Sequence, residues 1–213
     1  MKKKIWIICV LAIACVLCGC MSEPSETDET TWTTYVINDK TCRMVYSAPP
    51  EEAVEKIDRS EWVGGHYREA RVDEEGNFVL TLSEDDIAHW KKEMESNLKT
   101  LMEGSVKDND GSYLKVSDDY HQITTKVQEE YAMGAAIGVQ MAMLWCATMQ
   151  MLNGEDPNDW WVDVTFIDLE SGNVVKEWKD FPKKNEGNKI TKEDWERARK
   201  QTTEQSAKEA FRK

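Results

Sequence analysis

The sequence predicts an α+β domain in which an antiparallel sheet is covered by two helices. Short segments between residues 32 and 182 alternate apolar and polar side chains, which is typical of half-buried strands. Two longer segments, 84–104 and 131–152, carry apolar residues in a helical stripe or in an unbroken run. Residues 32–182 are numerous enough for one hydrophobic core built from these strands and helices.

Five short elements are predicted before residue 83. Alternation and β-branched residues indicate the strands, a proline pair stops the second strand, and a turn that contains Gly76 indicates a hairpin. The elements are strands at 32–37 and 41–47 around a turn at 38–40, a helix at 51–57, and a hairpin that joins 62–72 to 78–82.

The clearest helix signal follows Ser83. This serine is a good N-cap, and Asp86 lies three residues further on, where a capping box places its acidic partner. An apolar stripe then runs at helical spacing toward Gly104, a residue type that commonly closes a helix. The stripe consists of Ile87, Trp90, Met94, Leu98, Leu101 and Met102.

The second half of the domain predicts two strands, a helix and two more strands. Asp118 and Asp119 mark the turn of the first pair, and a turn at 170–173 separates the last pair. From residue 78 onward the order is therefore strand, helix, two strands, helix, strand, strand. That order matches a split βαβ (ferredoxin-like) arrangement extended by neighbouring hairpins.

The run from Ala132 to Leu152 has two interpretations. It is uncharged, is long enough to cross a bilayer, and contains a GxxxG pair at Gly134 and Gly138. Its composition of Ala, Met and Gly and the acidic residues on both flanks favour a buried core helix instead. We expect the core helix, and an additional transmembrane helix at 132–152 is the alternative.

The N-terminus carries an export signal. Three lysines precede an uncharged apolar stretch at 5–17, which is long enough for a signal peptide and short for a membrane span. The letters LCGC at its end resemble the lipobox of bacterial lipoproteins, in which the last cysteine receives a diacylglycerol and becomes the mature N-terminus. We therefore expect a lipoprotein signal peptide at 1–19 and lipidation of Cys20.

The rest of the chain divides into a tether, a domain and a tail. Residues 20–31 are acidic and nearly without apolar side chains, so they predict a flexible tether about 20 Å long. Residues 32–182 form the α+β domain, and 183–213 predict a basic helical tail with a thin apolar stripe. From Cys20 onward the chain has 24 basic and 40 acidic residues, a net charge of −16. Such a body repels nucleic acid, which we exclude as a partner.

The cysteines leave one question open inside the domain. Cys9, Cys15 and Cys18 lie in the apolar signal segment and act there as small apolar residues. Cys42 and Cys146 could form a single disulfide outside the cell, or each could be a small buried side chain.

No catalytic or metal-binding motif stands out in the sequence. His66, His89 and His121 are far apart and lack metal-ligand spacing, although His66 or His89 could line a pocket. The acidic cluster at 108–112 lacks the closing acidic ligand of a calcium loop and therefore predicts a turn. The methionines within 132–152 predict core packing, so we expect neither a metal nor a cofactor.

The whole chain resembles the uncharacterised lipoproteins of Gram-positive bacteria, through LCGC and the order of elements in 78–182. This resemblance implies attachment through Cys20 to the outer face of the cell membrane, and it implies no activity. We expect a non-enzymatic envelope module that binds a protein or a cell-wall component through its sheet or its tail. One ring of the Trp160-Trp161 pair could be open to a partner or a sugar, but we expect the excess of tryptophans to pack in a second small core. An envelope hydrolase with a site at the sheet edge is one alternative, and a lipoprotein with a membrane helix at 132–152 is another.

Overall fold

A computed structural model describes residues 30–59, 65–105, 111–184 and 189–210, with the backbone alone for 202–210. The predicted signal peptide, Cys20, nearly all of the tether and most of the acidic cluster at 108–112 lie outside these residues. The described residues form an α+β fold with two sheets, which confirms the predicted fold class.

The described part of the chain contains seven strands and five α-helices. The strands are β1 (Trp32–Ile37), β2 (Glu69–Val72), β3 (Phe78–Ser83), β4 (Tyr113–Val116), β5 (Gln122–Val127), β6 (Val162–Asp168) and β7 (Val174–Phe181). The helices are α1 (Asp39–Val45), α2 (Pro50–Asp58), α3 (Glu84–Gly104), α4 (Ala132–Leu152) and α5 (Lys192–Ala210), and a short 3-10 turn at Glu129–Tyr131 leads into α4.

The strands form two sheets rather than one antiparallel sheet. The first sheet is antiparallel with the order β1-β3-β2, and the second has the order β4-β5-β6-β7 with β5 and β6 parallel. All residues of β3 are buried and both of its edges are paired, so this strand cannot also pair with the second sheet. The predicted split βαβ arrangement is therefore not formed as a single sheet. Its parallel pair belongs to the unit β5-α4-β6, in which α4 returns the chain before the next strand starts.

The predicted strand at 41–47 is wrong, because Asp39–Val45 form the helix α1. Asn38 is its N-cap, and the Asn38 side-chain oxygen accepts a hydrogen bond from the Thr41 amide at 2.8 Å. The content of Thr, Cys and Val suggested a strand, but a capped first turn decides the local structure. The partner of β1 is consequently β3, which pairs with it along its whole length.

Helix α3 connects the two sheets within one core. Its capping box forms as predicted: the Asp86 amide donates to Ser83 Oγ at 3.1 Å, and the Ser83 amide donates to the Asp86 carboxylate at 2.9 Å. Trp90, Met94 and Leu98 of the predicted stripe are buried. The helix contacts β3 of the first sheet and β4 of the second, as well as α4.

Helix α4 lies on the second sheet, and its two ends differ in exposure. Most side chains from Val139 to Leu152 are buried, whereas Met133 is 80% and Ile137 57% exposed. The helix is long and apolar enough to cross a membrane, and 39% of its most apolar stretch is buried. Contacts of α4 with β4, β5, β6, α1 and α3 favour the core helix over the transmembrane alternative. The exposed first turns were not predicted. Core packing of the methionines is confirmed for Met143, Met149 and Met151 and is wrong for Met133 and for Met141, which is 41% exposed.

The described start of the basic tail packs on the second sheet. Trp195 and Ala198 of α5 are buried in the common core, and the helix contacts β6 and β7. The Asn173 side chain donates to the Ala198 carbonyl at 2.6 Å, and the Arg199 guanidinium donates to the Glu129 carboxylate at 2.9 Å. Trp195 and Ala198 of the predicted apolar stripe therefore form a docking face.

Candidate functional site

The sequence-predicted site residues do not come together in one place. Cys20 lies outside the described residues. Cys42 in α1 and Cys146 in α4 are buried free thiols, so the disulfide that the sequence left open is not formed in this structure. Burial raises the pKa of Cys42 to about 11 and that of Cys146 to about 12. Both residues therefore act as small core side chains rather than as reactive thiols.

Two of the three histidines stack on each other at the start of α3. The ring centroids of His66 and His89 are 3.7 Å apart, and His66 Nδ1 lies 3.7 Å from Asp86 Oδ1. The Trp90 indole nitrogen donates to the His66 carbonyl at 2.8 Å, which fixes the backbone of this segment. The pair is thus tied to the capped end of α3.

The third histidine, His121, packs on Trp161 at the start of β6. The ring centroids are 4.3 Å apart, and His121 Nε2 lies 3.2 Å from the Glu155 carboxylate. Trp161 is half-buried and Trp160 is buried, so this tryptophan pair does not form an open platform. The hydrolase alternative would need a histidine in a cavity beside a carboxylate and a hydroxyl. No histidine lines the three main cavities of the described residues.

The most apolar of these cavities is a groove of about 580 Å³ between α3 and α4, above β4 and β5. We call it the α3–α4 groove. The second sheet forms its floor, α3 one wall and the first half of α4 the other. Its main apolar lining consists of Leu101, Leu114, Val127, Ala135, Met141 and Trp145.

Two glycines of α4 give the groove its shape. A Cβ atom at Gly138 would lie 3.7 Å from Cδ1 of Leu101 and of Leu114, so both helices and the sheet meet closely there. About one turn earlier, a Cβ atom at Gly134 would have no neighbour within 4 Å among the described residues. The GxxxG pair therefore marks the narrow and the wide part of the groove.

Two hydroxyl groups that line the groove are already bonded to the protein itself. Ser105 Oγ donates to the Met102 carbonyl at 2.7 Å and accepts from the Leu114 amide at 2.9 Å. Thr125 Oγ1 donates to the Tyr113 carbonyl at 3.2 Å. The inner surface consequently offers mainly apolar atoms, which suits the binding of apolar groups better than it suits catalysis.

An exposed apolar ridge continues from the groove along α4. It consists of Met133, Ile137 and Met141, which are 80%, 57% and 41% exposed and are spaced four residues apart on one face. Because Met141 also lines the groove, this α4 ridge and the groove form one continuous surface. Contiguous exposed apolar patches are typical of interaction surfaces.

The segments that form this surface carry more negative than positive charge. Segments 84–105 and 111–152 contain 5 basic and 10 acidic residues, but Glu84, Asp85 and Asp86 lie in the first turn of α3, at the end away from the groove. Glu130 lines the groove and is exposed. Lys126 also borders it, but its strand neighbours Thr125 and Val127 are the buried ones, which places the Lys126 side chain on the other face of the sheet.

A second cavity, of about 590 Å³, lies between β7 and α5 and is basic. Its cations are paired inside the protein: Lys176 and Arg197 contact Asp194, and Lys179 lies 3.2 Å from Asp163. These pairs neutralise the charge that an anionic wall polymer would need. The tail is therefore a weaker candidate for binding than the α3–α4 groove.

No protein-family model, curated protein or solved structure matches the chain. Function is therefore inferred from the geometry of the groove and from the sequence signals. The sequence analysis did not predict a binding site at the groove residues. One signal could have indicated it, namely the lack of polar residues in α4 before residue 139. A helix that is buried on one side only normally carries polar residues at exposed positions such as those of Met133 and Ile137.

Proposed function

We propose that the chain is a lipid-anchored extracytoplasmic protein of the cell envelope whose folded part is a non-enzymatic binding module. The α3–α4 groove together with the α4 ridge carries the binding half of this proposal. Water contacts an exposed apolar surface unfavourably, and contiguous surfaces of this kind are typical of sites that bind a partner. LCGC, the preceding apolar stretch and the acidic tether at 20–31 support the anchor half, with a diacylglycerol on Cys20.

The anchor is tested with two matched cysteine variants. Cys20→Ser removes the thiol that would be acylated, whereas Cys18→Ser changes the same side chain two positions earlier. In cells fed an alkyne-labelled fatty acid, we expect label and membrane association for the natural chain and for Cys18→Ser. Cys20→Ser should lose the label. An unlabelled natural chain would show that the anchor does not exist.

The binding role is tested in intact cells with a photo-crosslinking residue in place of Thr100, which lines the groove. The same residue in place of Val36, an exposed position on β1 that lines none of the three cavities, is the control. We expect a discrete crosslinked species from position 100 and none from position 36. If position 100 captures only bulk lipid and wall material, the binding module is ruled out.

A further inference from the structure

We propose that the α3–α4 groove and the α4 ridge bind a cationic amphipathic helix of a partner protein. This inference rests on the proposed binding function and adds the chemistry of the partner. Shape, side-chain type and charge each contribute an independent reason.

The shape of the surface fits a helix better than a small molecule. A helix presents apolar anchors three and four residues apart, and the ridge residues Met133, Ile137 and Met141 offer matching contacts at a spacing of four. The groove beside them narrows at Gly138 and opens at Gly134, which leaves room for a large apolar anchor at the open part. Ridge and groove together would cover one face of such a helix.

Methionine adds adaptability to this surface. Met133 and Met141 are unbranched and polarizable, and exposed methionines of this type suit the binding of helices with varied apolar anchors. The hydroxyl groups of Ser105 and Thr125 are bonded internally, so an apolar anchor beside them leaves both groups paired. The contact therefore needs apolar side chains from the partner.

Charge selects the type of helix. Glu130 lines the groove and is exposed, and the chain from Cys20 onward carries −16, so a basic partner is attracted and an acidic one repelled. The same field opposes two other occupants of the surface. A second copy would bring two bodies of −16 together, and an anionic membrane surface would be repelled by the exposed Glu130 and by the negative charge of the body.

The experiment uses the full-length protein anchored in nanodiscs of zwitterionic lipid, with empty nanodiscs as the blank. The probe is a fluorescent amphipathic helical peptide of Leu and Lys, about 18 residues long, and its Leu and Glu analogue is the comparison. We expect the cationic peptide to bind at least about tenfold more tightly than the anionic one, and its affinity to fall as salt is added.

Three matched pairs of variants locate the binding. Gly134→Leu fills the open part of the groove. Gly134→Ala also replaces the helical glycine by a residue with a Cβ atom, but it adds too little volume to fill the groove. Ile137→Gln removes a ridge contact, and Val174→Gln is its control at another exposed apolar position. Glu130→Gln removes one negative charge beside the groove. Glu177→Gln removes one negative charge on β7, away from the groove, and is its control. We expect Gly134→Leu, Ile137→Gln and Glu130→Gln to lower the affinity for the cationic peptide. The three control variants should leave this affinity unchanged.

Several results would overturn the inference while the binding module stands. Equal affinity for the two peptides would remove the charge argument, and full affinity in Gly134→Leu would place the peptide elsewhere. Dimerisation or binding to anionic vesicles that is lost in Ile137→Gln would assign the surface to a second copy or to lipid. If position 100 captured a partner segment that is neither basic nor helical, the inference would also be overturned. If no discrete crosslink appeared at position 100, the proposed binding function itself would be ruled out.

Discussion

Gln150 is a polar residue inside the apolar run of α4 that forms hydrogen bonds with backbone groups of neighbouring segments. It is fully buried, and its amide nitrogen donates to the carbonyl oxygens of Tyr120 at 2.8 Å and Trp161 at 2.9 Å. Its side-chain oxygen accepts from the Trp161 amide at 3.2 Å. The single side chain thereby satisfies backbone groups of the segments that precede β5 and β6, and it links α4 to both strands.

Replacement of this glutamine tests that role. Gln150→Met keeps the length of the side chain but leaves the Tyr120 carbonyl and the Trp161 amide without their Gln150 bonds, while the Trp161 carbonyl keeps His121 Nδ1 at 3.1 Å. We therefore expect a loss of about 2–4 kcal/mol in the free energy of unfolding. Urea titration measures it. The control is Gln140→Met in the same helix, where the side chain is exposed and the change should stay within about 0.5 kcal/mol. Equal effects at both positions would contradict the role of Gln150.

The two thiols of the domain give a second residue-scale prediction. With pKa values raised by burial to about 11 for Cys42 and about 12 for Cys146, at most about one thiol in a thousand is ionised at pH 8. Iodoacetamide at pH 8, followed by peptide mapping, should leave both cysteines unmodified in the folded protein and modify both in denaturant. A disulfide between them would instead prevent alkylation in denaturant until a reductant is added.

At the scale of elements, α5 is held by a buried indole and by a charge cluster. Trp195 and Ala198 enter the core, and Arg199 donates to Glu129 at 2.9 Å and lies 3.5 Å from the buried Asp168. Burial works to raise the pKa of Asp168, but hydrogen bonds from Ser171 and Arg199 outweigh it and hold that pKa below its usual value. The helix is therefore docked through apolar packing and through an ion pair.

Removal of the indole tests the apolar part. Trp195→Ala should cost about 3–5 kcal/mol of unfolding free energy, because a large buried side chain is lost from the common core. Lys200→Ala, at an exposed position in the next turns of the same helix, should change it by less than about 0.5 kcal/mol. A single shifted unfolding transition is expected. If Trp195→Ala only lost helix content without lowering the midpoint, α5 would be a loose appendage.

Acid titration tests the ionic part. Because the folded pKa of Asp168 is lowered from 3.8, its contribution is fully present above 3.8 and is lost as the pH falls through the lower folded value. Asp168→Asn should be about 2 kcal/mol less stable than the natural protein at pH 7, with a smaller difference at about pH 2. Asp118→Asn, at an exposed turn, is the control and should show little difference at either pH. If the difference in unfolding free energy between Asp168→Asn and the natural protein did not change with pH, the ionised carboxylate would be excluded as its cause.

The elements that the sequence predicts well are those with local signals. The capping box at Ser83 and the stripe that follows it lead directly to α3, and alternation finds β1, β3 and β5. The strand predicted at 41–47 fails because residue composition outweighed the N-cap at Asn38 in that prediction. The division into two sheets could not be predicted, since it depends on β1 taking the free edge of β3, a pairing between residues far apart in sequence.

The α3–α4 groove was equally hidden from sequence reasoning. Gly134 and Gly138 were recognised as a close-packing motif, but whether they face a membrane, a helix or an open space depends on where α3 ends. Leu101 near that end meets Gly138, and beyond it α3 no longer covers α4. An apolar run thus predicts a helix, whereas the exposed fraction of that helix depends on tertiary packing.

For the whole molecule, the separation of charge is the dominant property. Residues 20–182 carry 14 basic and 34 acidic residues, a net charge of −20, and residues 183–213 carry 10 basic and 6 acidic residues, a net charge of +4. Docking of α5 through Arg199 brings part of the positive tail against carboxylates of the body. The remaining excess of negative charge destabilises the compact state by self-repulsion.

Salt should therefore stabilise this protein. Raising NaCl from about 0.1 M to about 1 M shortens the screening length from about 10 Å to about 3 Å, which weakens repulsion between carboxylates spread over the surface. The same salt weakens the surface ion pairs, but each of these contributes only about 0–1 kcal/mol. We expect the melting temperature to rise by a few degrees in NaCl and in KCl at pH 7. At about pH 4, where many carboxylates are protonated, the rise should shrink, and a fall in melting temperature at pH 7 would show that the ion pairs outweigh the repulsion.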